Sequence, residues 1–127
     1  MKRVSIGIMS QEGIRKRVLA IAKGDLKPKP GDPKIWFTSI KSLSEVLSED
    51  NRALLKEMER SKPNSIGELA HLTGRNQSNL SRTLKTMSKY GLVELSKRGR
   101  TVQPVAKATD FKIYAWPNLG QQDRSDR

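Results

Sequence analysis

Six side chains that can read the edges of base pairs fall in one short stretch of this chain: Gln77, Ser78, Asn79, Ser81, Arg82 and Lys85. Arginine can donate two hydrogen bonds to guanine O6 and N7. Asparagine and glutamine can make the matching pair with adenine, and serine can bond several edges or a phosphate. No Asp or Glu lies between Glu68 and Glu94, so nothing acidic opposes a polyanion there. A second cluster follows at Lys97-Arg98-Gly99-Arg100. The chemistry these residues suit is hydrogen bonding to base edges and neutralisation of phosphates.

The elements that must carry them can be read locally. Ser65 and Glu68 stand in the S-x-x-E relation of a capping box, and Ile66, Leu69, Ala70 and Leu72 then form an apolar stripe. Thr73-Gly74 closes that helix, with Gly74 suited to the positive φ of a helix C-terminus. Asn76 is a good N-cap for a second helix that runs to about Tyr90 and ends at Gly91. Leu80, Leu84 and Met87 recur at helical spacing, which turns them inward and leaves the six polar residues off the stripe. Leu92, Val93 and Leu95 read as a strand, Lys97 to Arg100 as a basic tip, and Thr101 to Val105 as the return strand. Helix, turn, helix and basic hairpin in that order is the pattern of a winged helix-turn-helix, which places its second helix in the major groove of DNA.

Composition agrees with a polyanionic partner. The chain has 127 residues, 25 basic and 13 acidic, and a net charge of +12. Residues 1–34 carry nine basic and three acidic side chains, and residues 71–107 carry eight and one. Residues 35–70 and 108–127 are close to neutral. Charge therefore sits on the reading head and on the N-terminal segment. Lys89, the hairpin tip and the N-terminal basic residues are expected on phosphates. RNA recognition leans on aromatic stacking, yet the chain has six aromatics and none among the exposed positions of 75–89. No long apolar span and no signal-peptide core follows Met1, which argues against a membrane and for a cytoplasmic, nucleoid-associated protein. There are no cysteines and one histidine, His71. With no nucleophile–base pair, no thiolate or imidazole set for a metal and no phosphate-cradling glycine loop, the chain reads as a non-enzyme without a cofactor.

The remaining segments read as follows. Val4 to Ile8 alternates as a short strand. Ser10 caps a helix from Gln11 to about Lys23, with Ile14, Val18 and Ile21-Ala22 on one face. Leu26 to Lys34 holds three prolines and a glycine and reads as a linker. Helices are expected over Ser39 to Leu47, with Ile40, Leu43, Val46 and Leu47 inward, and from Ser48 to Ser61, with Leu54, Leu55 and Met58 inward. Glu45, Glu49, Asp50, Glu57 and Glu59 form a solvated acidic face, or one side of a protein contact. Phe111 to Trp116 reads as a last strand. The expected class is mainly α with a small β-wing (α+β). Its divisions are a basic strand–helix extension with linker over 1–34, a winged helix-turn-helix over 35–116 and a polar tail over 117–127. A small core of this kind often grows by dimerisation. The candidate dimer or partner residues are Ile6, Ile8, Ile14, Val18, Trp36, Phe37 and Trp116.

Two blocks carry a family resemblance. One is Lys34-Ile35-Trp36-Phe37-Thr38-Ser39 with Ser42-Leu43, Val46-Leu47-Ser48, Asn51 and Leu54-Leu55. The other is Glu68-Leu69-Ala70, Thr73-Gly74-Arg75, Ser78-Asn79-Leu80-Ser81-Arg82-Thr83-Leu84, Met87 and Tyr90-Gly91-Leu92-Val93. Over residues 4 to 116 the chain resembles the MarR-like winged-helix DNA-binding regulators, many of which resemble antitoxins of type II toxin–antitoxin pairs. The resemblance implies a homodimeric repressor of its own operon that binds operator DNA and a cognate toxin. It adds Arg75 to Gln77, Ser78, Asn79, Ser81, Arg82 and Lys85 as reading positions, and assigns Lys97, Arg98 and Arg100 to the wing. Two other readings differ in the partner: a toxin-neutralising module with secondary DNA binding, and an ordinary MarR-like regulator without a toxin.

Overall fold

A computed structural model describes residues 2–115. Their elements run β1 (Arg3–Ile8), α1 (Gln11–Lys23), β2 (Ile35–Phe37), α2 (Ile40–Val46), α3 (Glu49–Ser61), α4 (Ile66–Thr73), α5 (Gln77–Lys89), β3 (Val93–Arg98), β4 (Thr101–Ala106) and β5 (Asp110–Ala115). The mixture of helices and small sheets is of the α+β kind. The chain divides into two compact units, Met1–Arg3 with Val46–Asp110 and Val4–Glu45 with Phe111–Arg127. Among the described residues no helix is long and apolar enough to cross a membrane. Trp116 and the polar tail lie outside the described residues.

The division falls at 45/46, not at the expected 34/35. The reason is β2. Ile35, Trp36 and Phe37 pair in parallel with Ile6, Gly7 and Ile8 of β1, with α1 as the crossover a parallel pair needs. The sheet order is β2-β1-β5. Residues 35–45 thereby join the N-terminal strand and helix. Gly7 is required at the centre of this sheet, since a Cβ there would lie 2.2 Å from Trp36 Cζ3. The Arg17 guanidinium sits over the same ring, 5.3 Å from its centroid, and pairs with Asp32 at 3.1 Å. Asp32 also accepts a hydrogen bond from the Lys29 backbone N–H. Arg17 thus ties the proline-rich segment to α1 and β2.

Ile6 and Phe37 are fully buried and Ile8 nearly so. These three candidate interface residues are covered within the chain itself. Ile14 and Trp36 are half-buried. Val18, expected on the inward face of α1, is 57% exposed, and no residue of α1 is buried. Ile40, expected inward on α2, is 64% exposed. It is the first residue of its helix, three positions before the buried Leu43.

In the other unit α3, α4 and α5 are followed by the antiparallel hairpin β3–β4. Its core is Leu54, Leu55, Met58, Leu69, Leu80, Leu84, Met87, Leu92 and Val93, each at most 2% exposed. Ser48, Ser65 and Asn76 cap the three helices, accepting from the N–H groups of Asn51, Glu68 and Asn79 respectively. The capping box at α4 is offset by one residue. The Glu68 carboxylate accepts from the Asn64 N–H at 3.0 Å, one residue ahead of Ser65. Leu72, counted in the apolar stripe of α4, is 46% exposed. It lies about 60° around the helix from the buried Leu69.

The hairpin pairs Val93 with Ala106 through to Arg98 with Thr101. That leaves Gly99-Arg100 as a two-residue turn. Gly99 has φ +63, the positive value that a tight hairpin turn asks of its first central residue. Gln103 Nε2 donates to the Pro63 carbonyl at 3.2 Å, fastening β4 to the α3–α4 connection.

Candidate nucleic-acid interface

Helix α5 is the central element. Successive residues turn by about 100°. Ser78, Arg82, Lys85 and Lys89 therefore gather within about 60° of one another, opposite the buried Leu80, Leu84 and Met87. All four are exposed. Thr86 and Asn79, also exposed, flank this stripe on one side, and half-buried Ser81 flanks it on the other. Gln77 is exposed but turned toward α4. A Cβ on Gly67 would stand 3.6 Å from Gln77 Oε1, so Gln77 rests over the first turn of that helix. The first turn of α5 carries no acidic residue. Its free N–H groups, less the one held by Asn76, suit an anion.

Arg75 and Asn79 are engaged with each other and with α3. The Arg75 guanidinium donates from Nη1 to Asn51 Oδ1 and from Nη2 to Asn79 Oδ1, both at 3.4 Å. Asn51 is itself anchored, donating from Nδ2 to the Val46 carbonyl at 2.9 Å. Arg75 is half-buried as a result, in contrast to the outstretched side chains of Arg82 and Lys85. No local signal pointed to Asn51: it lies 24 residues before Arg75, inside a helix start whose polar residues read as solvated.

Beside this network is a groove of about 610 Å³ lined by Asp50, Leu54, Glu57, Leu72, Arg75 and Asn79, among others. Glu57 is committed to its own helix. Its carboxylate accepts from Arg60 and from the Ser61 hydroxyl, and these bonds hold its pKa below the ordinary glutamate value.

The hairpin tip presents a second cationic group. Lys97, Arg98 and Arg100 are all exposed. Glu94, the one acid on this hairpin, faces Lys107 Nζ at 3.5 Å, away from the tip in register. Helix α5 and the tip are thus two acid-free cationic surfaces of one unit. Among the described residues no three of His, Cys, Asp or Glu gather as a metal site.

A family model for HVO_A0114 matches residues 46–113, more than half of the chain. The chain belongs to that family. The matched span nearly coincides with the unit that holds α3, α4, α5 and the hairpin. No curated protein matches the chain.

Proposed function

We propose that this protein is a sequence-specific double-stranded DNA-binding regulator of transcription, in which α3 to β4 act as a winged helix-turn-helix. The observation that carries the proposal is the stripe Ser78, Arg82, Lys85 and Lys89, exposed and acid-free on the side of α5 opposite its core-facing residues. In this reading α5 enters a major groove, and Arg82 with its neighbours reads base edges. Lys89, Lys97, Arg98 and Arg100 hold phosphates. Two protomers meet a two-half-site operator about one helical turn apart. The MarR-like resemblance supports one refinement: a cytoplasmic homodimer that represses its own operon as the antitoxin of a type II pair. The exposed Val18 and Leu19 on α1 and Ile40 on α2 are among the apolar residues available for a partner chain.

A mobility-shift titration on DNA from upstream of its own gene, against random duplex and at two salt concentrations, tests the proposal. A shift that survives competitor is expected. Equal loss to any duplex would sink the sequence-specific reading.

A further inference from the structure

The fork of Arg75 between Asn51 and Asn79 has a chemical consequence for reading. A free asparagine amide matches adenine because it offers both partners: its oxygen accepts from N6–H and its nitrogen donates to N7. Asn79 is not free in this sense. Its oxygen accepts from Arg75 Nη2 at 3.4 Å. The orientation of the amide follows from chemistry, since the opposite flip would set an N–H donor against a guanidinium that only donates. The oxygen has a second lone pair. An adenine amino group approaching it would meet a cation already seated on that atom. What Asn79 presents outward is therefore its N–H pair.

Arg75 is held in place from behind. Asn51 Oδ1 accepts from Nη1 at 3.4 Å, and Asn51 Nδ2 is spent on the Val46 carbonyl at 2.9 Å. That second bond fixes the Asn51 amide with its oxygen toward Arg75. The relay runs from the Val46 backbone through Asn51 and Arg75 to Asn79. It links the start of α3 to the first turn of α5, and all four residues belong to the same unit.

We propose that Asn51 and Arg75 are positioning residues that occupy the amide oxygen of Asn79, so that Asn79 reads a base edge offering acceptors only, as guanine does with O6 and N7, in place of adenine. The inference rests on the DNA-reading role of α5 proposed above. It assigns a part to Asn51, which makes no base contact, and it reverses the preference that residue type alone would give Asn79.

The test is a base-preference profile from a randomised duplex pool, for the full chain and for Arg75→Lys, Asn51→Ala and Asn79→Ala. The unaltered protein should prefer guanine at one base pair, and Asn79→Ala should lose that preference at that pair alone. Arg75→Lys keeps the charge but not the fork. It should leave the preferences at the other base pairs in place while moving the preference at that pair toward adenine by roughly 5- to 100-fold. Asn51→Ala should move the same pair in the same direction by less. A merely structural role would lower binding to every sequence alike and leave the profile unchanged, and that result overturns the relay. So does a preference for adenine at the Asn79 pair in the unaltered protein. A flat profile for the unaltered chain would overturn the DNA-reading proposal, and the relay with it.

Discussion

Arg82 and Arg100 are both exposed arginines, yet they stand in different surroundings, and their removal should differ in kind. Arg82 lies mid-stripe on α5, where a bidentate contact to guanine is worth ~1–3 kcal/mol. Arg82→Ala should weaken operator binding by that amount, relax preference at one base pair and leave random-duplex binding nearly unchanged. Arg100 is at the hairpin turn, where only the charge counts. Arg100→Ala should weaken all duplexes alike and shrink the slope of log K against log salt by about 0.9. Competition titrations at several salt concentrations separate the two, and equal losses on operator and random DNA for both variants would refute the division. Residue type and helical spacing sufficed to place Arg82 on the exposed face of α5, because that placement depends only on its own helix. They could not find the engagement of Arg75, because its partner Asn51 comes from another element.

The helices were legible from their ends. Ser10, Ser48, Ser65 and Asn76 each cap the helix that follows, since a short side-chain oxygen three residues ahead of a free N–H is a purely local signal. Asn76→Ala should therefore cost about 1 kcal/mol of stability, read as a lower melting temperature, while Asn76→Gly should cost only a few tenths. Leu80, Leu84 and Met87 were legible by period, and each is fully buried. Leu84→Ala should cost about 2–5 kcal/mol, as cavity-forming core truncations do, measured by denaturant unfolding. Leu72, Ile40 and Val18 were misread by the same rule. An apolar residue at helical spacing shows which way a helix could face, but whether another element covers it is a tertiary fact. Strand β2 was not legible at all. Three residues are too few to show alternation, and its pairing with β1 closes over a long crossover.

At the scale of the molecule, charge and pH separate the two units. The basic residues of α5 and the hairpin tip are exposed, and in the proposed reading they bear on DNA binding rather than on stability. In the other unit Asp32 has its pKa lowered from the ordinary 3.8, chiefly by the Lys29 backbone N–H; burial opposes this, and the Arg17 guanidinium lowers it further. A depressed carboxylate contributes stability above its unfolded pKa and loses it as pH falls through the folded one. Acid unfolding of this unit should thus carry a step beginning near pH 4 and extending below it. Asp32→Asn should flatten that step, while leaving the unit that contains α5 unaffected. Circular dichroism during acid titration, compared with Trp36 fluorescence in a Trp116→Phe chain, would show it. A step of unchanged size in Asp32→Asn would exclude Asp32 as its source.

The unit containing β1 and α1 is assembled from both ends of the chain, with residues 46–110 set between its two stretches. On a ribosome this arrangement imposes an order. The helices and hairpin of the middle stretch are complete before Phe111 is made, whereas β1 and β2 must wait for β5 to finish their sheet. The nascent chain thus passes through a stage in which the cationic helix α5 is formed while the segments at Val4–Glu45 still lack their last strand. Released chains truncated after Asp110 should resist protease across 46–110 and be cut within 4–45, whereas chains that keep β5 should resist across both stretches.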